Sequence, residues 1–229
     1  SGARSAFNNA FTTSMALTIP ATIALLIIPL PLIAALFQHG QTTSNDAAAM
    51  ALATSIYALG LPAFVLQKVY QPIYFARGDT KTPFRFAVLS MIINSVIAFG
   101  FMPLYGWIAA PIATTVSAWA MILLLVMGTK KYSTSSKLSK LSKSKFVLIT
   151  LSSLVMGLFL WVADYLLRKE IFSLIEKISF AAFLVLIGAL IYTVSANFMG
   201  AFSLKEIRNS IKRNYCLLYT SDAADELCR

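Results

Sequence analysis

The chain has 229 residues, of which 58% are hydrophobic and only 12% are charged, and its formal net charge is +10. Soluble domains carry about 25% charged residues, whereas several apolar runs here reach about 20 residues, the length of a helix that crosses a bilayer. The composition therefore excludes a soluble globular domain and predicts an all-α integral membrane protein. It does not indicate nucleic-acid binding, because no basic run is interleaved with aromatic residues in a foldable soluble module.

Hydropathy along the chain predicts six spanning helices, at about residues 11–37, 47–76, 84–104, 107–127, 146–167 and 178–198. Pro20 should kink the first helix. Pro29 and Pro31 should break it into a span and a short interfacial helix, because proline removes a backbone donor and clashes with the preceding turn. Three residues are suited to cap the second helix, namely Ser44, Asn45 and Asp46.

The turn "ARGDTKTPFR" between the second and third helices holds most of the charge in the middle of the chain. Arg77 and Gly78 are suited to end one helix, Asp79 or Thr80 to cap the turn, and Pro83 to occupy the first turn of the next helix. A turn that sets the topology of the membrane protein would by itself explain this pattern.

Lys and Arg residues are distributed very unevenly between alternate loops. One side collects fourteen of them, at Arg4, in the 77–85 turn, between residues 130 and 145, and between residues 205 and 213. The other side has only Arg168, Lys169 and Lys177. Because cytoplasmic loops carry the excess of Lys and Arg, this predicts that both ends of the chain and the basic linker at 130–145 are cytoplasmic.

The two ends of the chain look unlike those of a complete protein. The sequence opens "SGARSAFNNA" without a methionine, and we expect it to be a piece of a longer protein. Residues 201–214 form a basic cytoplasmic end. Residues 215–229, "YCLLYTSDAADELCR", resemble translated sequencing-adapter read-through and are excluded from functional interpretation.

The segment "YALGLPAF" and the turn after it resemble the MurJ (MviN) family of lipid II flippases, whose superfamily also holds MATE exporters and O-antigen flippases. The matching positions are Tyr57, Gly60, Lys68, Tyr74, residues 76–80, Thr82 and Pro83. Upstream, the family's periplasmic turn is matched by Phe37, Gly40, Thr42 or Thr43, and Asp46, with Gln41 where an aromatic or small residue is common. The resemblance covers roughly residues 10–200.

The resemblance implies that the six predicted helices correspond to the last six of fourteen. Residues 1–129 would form the second part of the C-terminal transport lobe, 130–145 the basic linker, and 146–200 an extra helix pair with a groove for the lipid tail. The implied function is to move lipid II, the peptidoglycan precursor, from the inner to the outer leaflet of the bacterial inner membrane by alternating access. The implied partners are lipid II, membrane lipids and the missing N-terminal helices of the same protein.

Lys68 is the strongest candidate for contact with the substrate, because it lies about nine residues, or roughly 13 Å, inside the cytoplasmic end of its helix. It would contact the head group or an acidic partner from a cavity. Alternatively, its side chain reaches the interface by snorkelling. Arg77 and Arg85 are either anchors of the loop or parts of a cytoplasmic gate.

A second candidate site follows from the resemblance, since some members of the family bind sodium through an Asn and an Asp four residues apart and a Thr on the next helix. Asn94 and Thr114 match, but Ala98 stands where the Asp would be. Neutral oxygens alone bind a hard cation weakly, so an interhelical hydrogen bond is the alternative. The driving force would be sodium or the membrane potential, and no other cofactor is implied.

Nothing in the sequence indicates an enzyme. Asp164, Glu170 and Glu176 surround a short external turn, but with Arg168, Lys169 and Lys177 nearby they are interpreted as surface ion pairs rather than acid–base catalysts. Two other functions stay open: an exporter of the same superfamily for a polysaccharide lipid or a drug, and a six-helix membrane scaffold.

Overall fold

The computed structural model describes residues 2–129, 139–167 and 173–200, in which it shows α-helices and one 3₁₀ turn and no strand. The helices are α1 Gly2–Ile27, α2 Pro29–Phe37, α3 Ser44–Phe75, α4 Lys81–Tyr105, α5 Ala109–Thr129, α6 Lys140–Leu167 and α7 Leu174–Phe198, with the 3₁₀ turn at Gly106–Ile108. Most of the basic linker, the cations Arg168 and Lys169, the end at 201–214 and the tail at 215–229 lie outside the described residues.

Five apolar helical stretches in the described ranges are long enough to cross a membrane, and the stretch Lys81–Thr129 contains both α4 and α5. A straight helix of that length would measure about 70 Å, more than twice the hydrocarbon thickness. It instead turns back at Gly106, which has a φ of 58°, so that α4 and α5 pack side by side. The predicted all-α transmembrane bundle is confirmed, and the six predicted spans correspond to α1 and to α3 through α7.

The break predicted at the prolines of the first helix is confirmed. The helix α1 ends at Ile27, and the backbone of Ile28 leaves the helical region, with a φ of −119° and a ψ of 43°. Pro29 then begins α2, where its missing N–H and fixed φ cost nothing. After the break, α2 packs mainly on α3 and α7 rather than on α1. The observed α1 also begins well before residue 11, at Gly2.

Two helix starts differ from the prediction because nearby hydroxyl groups cap them. The cap of α3 is Thr43, not Ser44, Asn45 or Asp46: the Thr43 hydroxyl accepts from the Asp46 N–H at 3.2 Å, and the Asp46 carboxylate accepts from the Thr43 N–H at 2.9 Å. This reciprocal pair is a capping box. The helix α6 begins at Lys140 rather than Phe146, and so takes up the end of the predicted linker.

The spanning helices are arranged in a row in the order α4, α5, α3, α1, α6, α7. One core cluster joins α1, α3 and α5 around Phe7, Tyr70, Tyr74 and Leu125. A second cluster joins the end of α1 to α6 and α7 around Ile28 and Leu160. The arrangement places α3, which carries Lys68, in the middle of the row.

Candidate functional site

The turn between α3 and α4 is held by a complete helix-end motif. Gly78 adopts a positive φ of 71°, its N–H donates to the Phe75 carbonyl at 3.0 Å, and the Asp79 N–H donates to the Tyr74 carbonyl at 3.1 Å. These two bonds form a Schellman motif, which needs a left-handed residue at the position of Gly78. The sequence of the turn therefore fixes where α3 stops.

The same turn also starts α4. The Asp79 carboxylate accepts from the Thr82 N–H at 3.0 Å, and Pro83 is buried in the first turn of the helix. The side chain of Thr80 makes no capping bond, so of the two predicted caps Asp79 fills the role. Because Asp79 ends one helix with its backbone and begins the next with its side chain, the two helices share one residue as their joint.

One end of the bundle, here called the basic end, gathers exposed cations from α1, the turn after α3, α4 and α6: Arg4, Arg77, Lys81, Arg85, Lys140 and Lys143. Two contacts show that these elements lie together. The rings of Phe7 and Tyr70 are 5.1 Å apart, and the Ser139 N–H donates to the Asn8 amide oxygen at 2.9 Å. The start of α1 thus joins both the end of α3 and the start of α6.

Lys68 is exposed on the face of α3 that also carries the exposed side chains of Tyr57, Phe64 and Phe75. Seven residues separate it from Phe75, the last residue of the helix, which is about 10 Å along the axis. This is closer to the end than the sequence alone suggested. Of the Lys and Arg residues in the described ranges, Lys68 still lies farthest from a helix end.

The side chain of Tyr74 fixes the end of α3 to α5, a contact that was not predicted from the sequence. Its side chain is fully buried, and its hydroxyl donates to the Leu125 carbonyl at 2.6 Å. The hydroxyl lies against Gly128, where a Cβ would overlap it. The turn that carries Arg77 is therefore fixed to the end of α5. The only signal in the sequence was a tyrosine within a matching motif.

Three further side chains bind α3 to α5 through backbone carbonyls: Gln67 donates to Ala118 at 3.0 Å, Thr115 to Ile56 at 2.9 Å, and Trp119 to Leu59 at 3.0 Å. Two of the accepting carbonyls, those of Ile56 and Leu59, lie within six residues before Pro62 on α3. The contact makes α3 and α5 one unit.

Asn94 and Thr114, the predicted sodium ligands, meet at the contact between α4 and α5. The Asn94 amide N–H₂ lies 3.3 Å from the Thr114 hydroxyl and 3.2 Å from the Ser117 hydroxyl. Ser90, one turn before Asn94, donates to the Ser117 carbonyl at 2.9 Å. Ser90 and Ser117 were not singled out from the sequence, although their spacing from Asn94 and Thr114 places them on the same helix faces.

An open cavity of about 360 Å³ lies along α7 beside α6, lined by Val155, Leu190, Ile191, Val194, Ser195, Phe198 and Met199. Its lining is almost entirely apolar. The pair is docked on α1, because the Tyr192 hydroxyl donates to the Ala16 carbonyl at 2.7 Å. The cavity lies on the part of the chain for which a lipid-tail groove was predicted.

Of the carboxylates near the external turn, Asp164 does not lie on the surface as predicted. It is buried on α6, with 7% of its surface exposed, on the same helix face as the buried Leu160 one turn earlier. Glu176 is exposed and forms a capping box with Ser173 at the start of α7. Glu170 lies outside the described residues.

These features define a multi-pass α-helical membrane protein with one basic end, a polar contact within the membrane and an apolar cavity. A family model described as lipid II flippase MurJ matches residues 2–181. The chain therefore belongs to the MurJ family of lipid II flippases, which are transporters.

Individual relatives agree with this assignment. A probable lipid II flippase MurJ of Rickettsia prowazekii (strain Madrid E) is 33% identical over 189 residues, which cover 81% of this chain and 37% of the relative. The lipid II flippase MurJ of Thermosipho africanus (strain TCF52B) is 28% identical over 187 residues, 82% of this chain and 36% of that protein. The chain thus spans little more than a third of these relatives.

A solved structure gives the same result. Lipid II flippase MurJ in an inward closed conformation superposes with a TM-score of 0.72 and 26% sequence identity, over 86% of this chain and 39% of that one. The arrangement of helices described above is therefore that of one part of this flippase.

Proposed function

We propose that this chain is part of a lipid II flippase that moves lipid II from the inner to the outer leaflet of a bacterial inner membrane. The observation that carries the proposal is the family match along residues 2–181. The solved flippase with the same helix arrangement supports it. The chain covers only part of its relatives, so the transport would be a property of the larger protein.

The physical task explains why such a protein needs several lobes. The lipid II head group contains sugars, amides and a diphosphate, which lose their hydrogen bonds to water if they enter hydrocarbon. A hydrated cavity that opens alternately to each side avoids this cost. In this proposal α1 to α5 supply part of one moving lobe, and the basic end faces the cytoplasm in accordance with the distribution of cations.

Three cations are assigned roles in this cycle. Lys68, the cation farthest inside a span, would contact the diphosphate or an acidic partner from the remainder of the protein, because charge inside a membrane is expensive unless it faces a cavity or a partner. Arg77 and Arg85 would take part in the gate at the basic end. The anchoring of their turn through Tyr74 and Asp79 supports this assignment, since a gate requires cations held in fixed positions.

The cavity between α6 and α7 would hold part of the polyprenyl tail. Its lining offers apolar contact along about two turns of α7, from Leu190 to Met199. An apolar tail that leaves the bilayer for such a groove loses little hydrophobic free energy, since the groove is as apolar as lipid. The tail can therefore stay in apolar surroundings while the head group crosses.

A chimaera tests the proposal. Residues 2–199 of this chain would replace the matching segment of the Thermosipho africanus flippase, and the product would be expressed in bacteria depleted of their own flippase. We expect growth to be restored and labelled lipid II to reach the outer leaflet. The matching segment of the Rickettsia prowazekii protein in the same frame is the control for compatibility of the joined parts.

The result that contradicts the proposal is a chimaera that is present in the membrane at the level of the control but neither restores growth nor translocates lipid II. Within a working chimaera, Lys68→Gln should reduce translocation and Lys68→Arg should retain most of it. Lys177→Gln, at the opposite end of the bundle, should have no effect. Equal rates for Lys68→Gln and Lys177→Gln would remove Lys68 from the mechanism.

A further inference from the structure

The contact between α4 and α5 contains the residues that the family resemblance assigns to a sodium ion. Whether they fit such an ion can be judged from their hydrogen bonds. The Thr114 hydroxyl donates to the Ala110 carbonyl at 2.9 Å, and the Ser117 hydroxyl donates to the Thr114 carbonyl at 3.0 Å. Both hydroxyl protons are therefore used within α5.

The same two hydroxyl oxygens are approached by the Asn94 amide nitrogen, at 3.3 Å from Thr114 and 3.2 Å from Ser117. An amide presents two N–H donors on its nitrogen and only acceptors on its oxygen. Without an ion, turning the amide round would set its oxygen against two oxygens whose protons already point elsewhere. The donor side of Asn94 thus faces the cluster, and its N–H groups occupy lone pairs of the two hydroxyl oxygens that a cation would need.

The charge needed to bind a hard cation is also missing from both helices. Neither α4 nor α5 contains an Asp or Glu. One turn after Asn94, on the face toward α5, stands Ala98, which has no ligand atom. Hard cations select carboxylates and several oxygens together, and the cluster offers no carboxylate. The residues present on these helices do not fit sodium.

We propose that Ser90, Asn94, Thr114 and Ser117 form a cation-independent lock between α4 and α5, and that residue 98 decides whether this contact can bind sodium. In this chain hydrogen bonds, rather than a bound ion, hold α4 and α5 together at this contact. The free energy that they contribute does not depend on the ionic composition of the medium. The lock stabilises the α4–α5 hairpin whatever substrate the protein carries.

The test measures the thermal unfolding of the full 229-residue chain in detergent, with intrinsic tryptophan fluorescence as the signal that monitors it. Sodium chloride is replaced stepwise by choline chloride at constant ionic strength. For the unmodified chain we expect the same midpoint in both salts. For Ala98→Asp, which adds a carboxylate beside Asn94, we expect a midpoint that rises by several degrees with sodium and saturates. Ala98→Asn, of the same size but without charge, should not respond.

Two outcomes overturn the proposal. The first is a saturable rise of the midpoint of the unmodified chain with sodium that disappears in Asn94→Leu. The second is a folded Ala98→Asp chain whose midpoint ignores sodium, since residue 98 would then not decide binding. If Ala98→Asp is not recovered folded, the sodium titration of the unmodified chain decides alone, with equal midpoints supporting the lock and a sodium-specific rise refuting it.

Discussion

Replacing Gly128 by alanine should destabilise the contact between α3 and α5. A Cβ at this position would overlap the Tyr74 hydroxyl and lie 3.1 and 3.4 Å from two ring carbons of Phe86. Tyr74 cannot move aside cheaply, because its ring is fully buried and its hydroxyl donates to the Leu125 carbonyl at 2.6 Å. Either that hydrogen bond breaks or the helices separate.

The magnitude follows from these contacts. Loss of one hydrogen bond costs about 1 kcal/mol, and a methyl group forced into a packed site costs about 1–3 kcal/mol. Alanine regains about 1 kcal/mol of helix propensity relative to glycine. The net loss is then about 1–3 kcal/mol, which for a chain of this size lowers the midpoint of thermal unfolding by roughly 2–12 °C.

The assay is thermal unfolding of the purified chain in detergent. Gly100→Ala on α4 is the matched control, because nothing lies within 4 Å of a Cβ at that position, and it should leave the midpoint unchanged or slightly raised. Gly128→Ala in a Tyr74→Phe background should lose less than the sum of the two single changes, since the obstructing oxygen is gone. A midpoint for Gly128→Ala equal to that of Gly100→Ala would refute the reasoning.

Three further changes test other contacts by the same unfolding measurement. Gly157→Ala should cost about 0–2 kcal/mol, since its Cβ would meet Ile23 and Ile27 at 2.6 and 2.7 Å at a cost of about 1–3 kcal/mol, of which about 1 kcal/mol is regained as helix propensity; disulfide crosslinking between cysteines introduced in α1 and α6 should weaken in parallel, and unchanged crosslinking would contradict the tight approach. Gly78→Ala should cost about 1–2 kcal/mol for a left-handed residue, and an unchanged midpoint would mean that its φ of 71° is not required. Thr43→Ala should cost about 1 kcal/mol through loss of the α3 cap, while Thr43→Ser should restore it; equal loss in both would exclude the hydroxyl as the cause.

Much of the fold could be predicted because its causes are local in the sequence. Apolar runs of the right length give the spans, and Pro29 gives the break between α1 and α2. Gly78 and Asp79 give the turn, since a left-handed residue and a short carboxylate act within a few residues of their own position. In the candidate site, Asn94 and Thr114 could be paired because a known family pattern joins them.

The contacts between distant residues could not be predicted in this way. Tyr74 reaches the Leu125 carbonyl, and every residue has a carbonyl, so the sequence carries no mark of the acceptor. Asp164 illustrates the same limit. Its position beside a charged loop suggests that its side chain is exposed, whereas the packing of α6 buries it. At the start of α6, the Ser139 hydroxyl accepts from the nearby Ser142 N–H, but the Ser139 N–H donates to Asn8, far away in the chain, which the local sequence does not indicate.

The short helix α2 has a mechanical consequence. It follows α1 through the break at Ile28, yet it rests on α3 and α7, which are not neighbours in the row of spans. It therefore joins the helix that carries Lys68 to the helix that lines the apolar cavity, with the break at Ile28 as a joint at one end. Because α2 contacts both helices, a displacement of α3 would press on α7 through α2 without passing through α1 or α6.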